Sequence, residues 1–283
     1  MADRDTCTTR GAPRFADVAL ARLAREQGDS AAWAAAFAQH GQRAAEAVTG
    51  DFAVGQQDPN GRTWLAVDRF AVHSMCYRVV DGRLQFAERA DALANPQAGG
   101  QTGARADLDP QAIFDYLYFH CIPSPRTIFK GVHRLPPAHC AQFDNGVLRV
   151  APYWTAEFEE PRSATFEPLR DEFRDLLRSA VTRQLDSGRP ACFLSGGTDS
   201  STLAGMIGQV RGVPAATYSI GFEAAGYDEM EYARIAARHF GCEHHEYYVT
   251  PEDLVRTAVR QRAADDLLHL AVMEINAGAE HGY

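Results

Sequence analysis

Residues 191–201 read Ala-Cys-Phe-Leu-Ser-Gly-Gly-Thr-Asp-Ser-Ser, an apolar run that breaks into a Ser-Gly-Gly turn followed by an acid and two serines. Adjacent glycines let a backbone approach a ligand with no side chain between them. A turn that opens a helix also offers unpaired N–H groups and the positive end of the helix dipole. The expected guest is a phosphate or pyrophosphate. The carboxylate of Asp199 would repel a bare polyphosphate, so its natural role in such a turn is to hold a Mg²⁺ that bridges to the phosphate oxygens.

The elements that position this turn follow from punctuation and period. Arg189-Pro190 ends what precedes, Ala191 to Leu194 form a short buried strand, and Leu203, Met206, Ile207 and Val210 repeat at helical spacing. Upstream, Leu169, Phe173, Leu176, Leu177, Ala180 and Val181 mark one face of a long amphipathic helix. Downstream come a strand from Ala215 to Gly221, a helix from Glu229 to Phe240 with Gly241 at its end, and a strand from His245 to Val249. Thr250-Pro251 caps a further helix carrying Leu254 and Val255. This alternation predicts an α/β, doubly wound parallel sheet, which binds ligands beyond the carboxyl ends of its strands. The two candidate rims are Leu194 to Gly197 and Ile220 to Phe222.

The earlier part of the chain reads differently. Its first residues are polar and lack periodicity, a helical pattern starts at Val18, and a second helix runs from Ser30 to about Val48. From Asp51 the period becomes two, giving strands at Phe52–Val54, Thr63–Val67, Cys76–Val80 and Arg83–Ala87, the last two joined by Asp81-Gly82. A Gly-rich loop from Asn95 to Asp107 precedes a helix opened by Asp109-Pro110 and stopped by Pro123-Ser124-Pro125. Strand pieces follow at Thr127 to Val132 and Ala138 to Val150, the latter folded at Asn145-Gly146. Residues 156–165 suit a linker, so the expected domains are an α+β unit over 1–155 and an α/β unit over 166–283.

A chain of 283 residues, 46% hydrophobic and 23% charged, has room for both cores. Its net charge of −9 argues against nucleic acid or an anionic membrane as partner. No run reaches bilayer length and Met1-Ala2-Asp3-Arg4-Asp5 has no apolar signal core, so the expected location is cytoplasmic. The six cysteines are scattered without metal or disulfide spacing and read as reduced small hydrophobes. His244 and His245 are strand neighbours facing opposite ways, and read as structural.

Ser195-Gly196-Gly197-Thr198-Asp199-Ser200 resembles the SGGxDS pyrophosphate loop of the N-type ATP pyrophosphatases. With Tyr218 to Phe222, Tyr227-Asp228-Glu229 and His244-His245-Glu246, it resembles the synthetase half of the glutamine-hydrolysing asparagine synthetase family. The resemblance implies ATP and Mg²⁺ as cofactors, with Ser195, Gly196, Gly197 and Ser200 holding pyrophosphate and Asp199 the Mg²⁺. It implies that Leu194 and Ile220 contact the adenine or ribose through main chain, although Ile220 reads equally well as a plain buried strand residue.

More loosely, Asp51-Phe52-Ala53, Val67 to His73, Phe86-Ala87-Glu88, Thr127 to Val132 and Leu135-Pro136-Pro137 resemble the later half of that family's glutaminase domain, which implies Ntn-type antiparallel sheets with helices. The family's catalytic cysteine follows the initiator Met, where its freed amino group serves as base. Here position 2 is Ala, and Cys7 lacks the usual following glycine, so the glutaminase-like domain is expected to be degenerate. The family also continues well past residue 283, which implies a truncated synthetase domain: either the chain is a fragment, or a homodimer partner or another polypeptide completes it. The implied activity is adenylation of a small-molecule or peptide carboxylate, aspartate in the first instance, with pyrophosphate released and an amine displacing AMP. The alternatives are a non-catalytic nucleotide-binding remnant or subunit, and a cyclase of the β-lactam or lasso-peptide type.

Overall fold

The computed structural model describes residues 6–94, 107–159, 165–185, 190–222, 229–253 and 256. The chain separates into two compact units between Phe158 and Glu159. The predicted loop over 95–106, Tyr227-Asp228, and the helical positions Leu254 and Val255 lie outside the described residues. Among those described, no helix is long and apolar enough to cross a membrane.

In the first unit, β1 (Thr6–Gly11), β2 (Arg14–Phe15), α1 (Val18–Gln27) and α2 (Asp29–His40) lead through a 3₁₀ turn over Gly41–Ala47 to β3 (Val48–Thr49). Then come β4 (Phe52–Gln57), β5 (Thr63–Val67), β6 (Cys76–Val80), β7 (Arg83–Ala87), α3 (Ala90–Ala94) and α4 (Pro110–Phe119), followed by β8 (His133–Arg134), β9 (His139–Asp144) and β10 (Val147–Pro152). The main sheet has the order β1-β4-β5-β9-β10 and is antiparallel throughout. A smaller antiparallel sheet has the order β7-β6-β8.

Local chemistry accounts for most of these boundaries. Asp17 accepts the amides of Ala19 and Leu20 at 2.8 and 2.9 Å to cap α1, and Asp109 accepts that of Gln111 at 3.0 Å to cap α4. Both hairpins turn on residues with positive φ, Asp81 (49°) with Gly82 (70°) and Asn145 (49°) with Gly146 (79°), as a two-residue primed turn requires. The core of this unit packs α1 and α2 on the main sheet around fully buried Trp33, whose ring lies 5.4 Å from Phe37, 5.3 Å from Phe15 and 5.0 Å from Phe52.

Three expectations change here. The polar opening is a strand, because β1 pairs with β4 from Thr6↔Gln57 to Gly11↔Phe52 and so borrows its regularity from a partner far along the chain. The second helix breaks at His40, where Gly41 takes φ 56°. Thr127 to Val132 forms a turn rather than a strand: the Thr127 hydroxyl donates to the Val132 carbonyl at 2.8 Å and accepts from the Phe129 amide at 3.2 Å, competing with ladder bonds.

In the second unit, α5 (Phe166–Gln184) precedes β11 (Ala191–Phe193), α6 (Thr198–Arg211), β12 (Ala216–Phe222), α7 (Met230–Phe240) and β13 (Glu243–Val249). The strands form a parallel sheet in the order β11-β12-β13. On one face Leu194 is buried with Ala204 of α6 and Ala233, Ala236 and Ala237 of α7, while α5 joins through Val181 against Met206 and Ile207. Along β12 burial alternates, Thr217 and Ser219 facing in while Tyr218, Ile220 and Phe222 stay exposed. The expected buried strand over Ala191 to Leu194 is therefore half right: Leu194 is 2% exposed, but Phe193 is 66% exposed because the pleat turns it to the opposite face. A doubly wound sheet carries helices on both faces; among the described residues the second face of this one is open.

His244 and His245 do face opposite ways. The His244 ring lies 2.9 Å from the Thr217 hydroxyl, with Glu246 and Arg234 beside it, whereas His245 stacks on Tyr218 at 4.8 Å. Burial holds His244 below its ordinary pKa of 6.5, outweighing the opposing pull of Glu246. Folded His244 thus stays neutral where the unfolded chain takes up a proton, so it costs stability as pH falls below about 6.5. Urea unfolding followed at about pH 7.5 and about pH 5.5 will show a smaller acid loss in His244→Gln than in the parent. An identical loss in both would remove His244 as a cause.

Candidate active site

The glycine turn sits where β11 ends and α6 begins. β11 pairs with β12 in the register Ala191↔Ala216, Cys192↔Thr217 and Phe193↔Tyr218, and the Leu194 amide adds a bond to the Tyr218 carbonyl at 2.9 Å. The chain then leaves the sheet through Ser195, Gly196 and Gly197, with Gly197 as N-cap of α6. The first intrahelical bond runs from the Ser201 amide to the Gly197 carbonyl at 3.1 Å. The amides of Thr198, Asp199 and Ser200 precede it and are the donors that a helix start leaves over. Aimed past the strand end with the helix dipole behind them, they suit a multiply charged anion.

Gly196 has φ +85°, and a Cβ there would lie 2.3 Å from the Tyr232 carbonyl carbon and 2.5 Å from the Ala233 nitrogen. The turn is therefore pressed against the first turn of α7, where the Tyr232 and Ala233 amides bond the Glu229 carbonyl at 3.0 and 3.2 Å. Two helix starts meet at this turn.

Hydroxyls brace the turn from within. Ser195 and Ser200 hydroxyls lie 3.0 Å apart, the Ser195 amide donates to the Ser200 hydroxyl at 3.3 Å, and the Ser200 hydroxyl donates to the Gly197 carbonyl at 3.3 Å. The Gly197 amide reaches the Ser195 hydroxyl at 3.4 Å. Asp199 stands exposed in the first turn of α6. Among the described residues no three His, Cys, Asp or Glu side chains gather as a metal cage. One carboxylate beside amides that suit a multiply charged anion would fit Mg²⁺, a cation that keeps several waters and needs few protein ligands.

Leu194 is a core residue whose amide and carbonyl are both engaged, by Tyr218 and by the Ser219 hydroxyl. A nucleotide would meet only the second lone pair of its carbonyl. The plain alternative for Ile220, a buried strand residue, does not hold: its side chain is 51% exposed. Tyr218 turns its carbonyl toward β11. Two residues on, Ile220 directs its main chain to the same side, where β11 has already left the sheet. Cysteines take no part in this turn. Burial pushes the Cys140 thiol up to about 12 and Cys76 up to about 11, and raises Cys192 and Cys242, so these four stay protonated.

The asparagine synthase family model matches residues 172–269, and the glutamine amidotransferase domain model matches residues 18–154. Over 209 residues the chain is 31% identical to asparagine synthetase [glutamine-hydrolyzing] 3 of Bacillus subtilis, a span covering 68% of this chain and 33% of that protein. The chain belongs to the asparagine synthetase family. Other asparagine synthetase relatives include asparagine synthetase 1 of Bacillus subtilis, 26% identical over 77% of this chain and 34% of that protein. A putative asparagine synthetase 2 of Methanocaldococcus jannaschii is 31% identical over 53% of this chain and 29% of its own length. The chain thus spans about a third of the length of the curated asparagine synthetases it matches.

Sequence reasoning missed two features of this site. The contact between Gly196 and α7 leaves no trace in a local pattern, since it depends on where a helix more than thirty residues later is laid. The Ser219 hydroxyl bond to Leu194 was equally invisible, although a polar residue at an inward position of an apolar strand is the signal that could have found it.

Proposed function

We propose that this chain carries the nucleotide-activating part of an ATP-dependent amide ligase. A carboxylate oxygen of the substrate attacks the α-phosphorus of ATP, the bond to pyrophosphate breaks, and an amine then displaces AMP from the acyl-adenylate, losing a proton. Aspartate is the first candidate substrate, with related small or peptide carboxylates behind it. The observation that carries the reading is the turn from Ser195 to Ser200, which leaves the helix-start amides of Thr198, Asp199 and Ser200 over beyond a strand end, with the Asp199 carboxylate among them. Ser195, Gly196, Gly197 and Ser200 hold the departing pyrophosphate, and Leu194 and Ile220 offer main chain to the nucleoside. Mg²⁺ bound at Asp199 would offset charge on the leaving group.

The first unit works here as a degenerate glutaminase-like domain over 1–155, ahead of a synthetase domain over 166–283. Cys7 lies within β1 opposite Gln56 and packs against the Trp33 core, a poor place for a thiol that must reach glutamine. Free ammonia or an amine of the substrate would supply the nitrogen. Cys76, Cys121, Cys140, Cys192 and Cys242 form no disulfide, which suits a reducing, cytoplasmic setting. A second reading is nucleotide binding without turnover: the turn from Ser195 to Ser200 accounts for uptake of an anion but supplies no group that acts on the carboxylate or the amine.

Magnesium-dependent ATP–pyrophosphate exchange over a panel of carboxylates separates the two. Exchange stimulated by aspartate or another acid supports the ligase; nucleotide uptake with no exchange supports the second reading. Absence of any uptake of ATP, AMP or pyrophosphate sinks both. Glutamate release from glutamine should stay at background, and robust release would refute the account of the first unit.

A further inference from the structure

Ser219 belongs to neither the turn nor the helix that follows it, yet it holds the residue from which the turn departs. It lies on the covered face of β12, 5% exposed, and its hydroxyl donates to the Leu194 carbonyl. The Leu194 amide is already committed to Tyr218 at 2.9 Å. That carbonyl and the Ser195 amide belong to one planar peptide unit, with C=O and N–H pointing in opposite directions. The amide end is taken by the Ser200 hydroxyl at 3.3 Å. One peptide plane is thus gripped at both ends, by Ser219 from the sheet and by Ser200 from the helix. Its orientation sets the direction in which Ser195, Gly196 and Gly197 leave the strand, and hence where the helix-start amides of Thr198, Asp199 and Ser200 that follow them aim.

We propose that Ser219 is a positioning residue for the pyrophosphate turn, acting through the Leu194–Ser195 peptide without touching the ligand; the claim about affinity rests on the reading of the turn given above. Without the hydroxyl, the buried Leu194 carbonyl lacks its partner and that peptide is held only at its amide end, by the weaker 3.3 Å bond to Ser200. The amides would then have to be ordered by the anion itself, which weakens binding.

The test uses the full chain, with inorganic pyrophosphate and Mg²⁺ as the calorimetric probe, and the amide resonances of Ser195, Gly196 and Gly197 as a readout independent of any ligand. Ser219→Ala should weaken pyrophosphate binding about fivefold to tenfold and shift or broaden those three resonances, while resonances of the first unit stay in place. Ser219→Thr, which keeps the hydroxyl, should restore both to near the parent values. Binding within about twofold of the parent, with the three resonances unmoved in Ser219→Ala, overturns the proposal. Should the parent itself take up no pyrophosphate, the ligand reading fails, and the resonances alone then decide whether Ser219 orients the turn. Should Ser219→Ala not fold, Ser219→Cys, of similar size but a weak donor, is judged by the same two criteria.

Discussion

Alanine at position 196 will cost the second unit about 3–5 kcal/mol, a loss of the size reserved for backbone collisions and strained dihedrals. Gly196 has φ +85°, which penalises any Cβ, and the atom added would sit 2.3 Å from the Tyr232 carbonyl carbon. That neighbour is backbone inside the first turn of α7 and cannot swing aside as a side chain would. Either the turn is pushed off α7 or α7 shifts from the sheet, and both expose Leu194 and the alanines packed on it. The control lies one residue away. At Gly197 the same substitution meets nothing nearer than the Ser195 hydroxyl at 3.4 Å and needs no positive φ, so its cost is about 1 kcal/mol, that of a poorer N-cap. Urea midpoints of the two variants measure the contrast. Equal stability for Gly196→Ala and Gly197→Ala would mean that the close approach to α7 is not a real constraint.

Asp199→Ala should change the sign of its effect with the metal. In the presence of Mg²⁺, pyrophosphate affinity is expected to fall about a hundredfold, because the carboxylate that anchors the cation is gone. In chelator the same variant should bind pyrophosphate more tightly than the parent, because a negative charge beside the anion has been removed. Folding should be little affected: Asp199 is exposed, and an acid in the first turn of α6 contributes only about 0.3–1 kcal/mol through the helix dipole. Calorimetric titration of both proteins with and without Mg²⁺ measures all of this. Parallel losses in the two conditions would take Asp199 out of the metal's coordination and leave it a merely local charge.

The two kinds of unit were legible because their periods differ. Alternation from Phe52 to Ala87 and the dipeptides Asp81-Gly82 and Asn145-Gly146 encode antiparallel hairpins locally, since a primed turn admits few residues, but not that β6 and β7 leave the sheet of β4 and β5. The run from α5 to β13 encodes strands separated by helices, since Gly212 and Gly241 stop α6 and α7 by adopting left-handed caps at φ 69° and 64°. What escaped was whatever depended on a distant partner. Thr6 to Gly11 has no strand pattern of its own and becomes β1 only by pairing with β4.

By itself the sequence determined the turn from Ser195 to Ser200: glycines at the strand end, an acid in the first helical turn and serines on either side, all within six residues and therefore readable without a fold. Only the tertiary structure decided how that turn is held. The approach of α7 leaves no room for a side chain at Gly196, Ser219 reaches from the neighbouring strand to the Leu194 carbonyl, and the pleat exposes Phe193, which the local pattern buries, and Ile220, which that pattern leaves open. The physical reason is range: hydrogen-bonding donors and backbone dihedrals are set by neighbours in the chain, whereas steric contact and burial are set by neighbours in space.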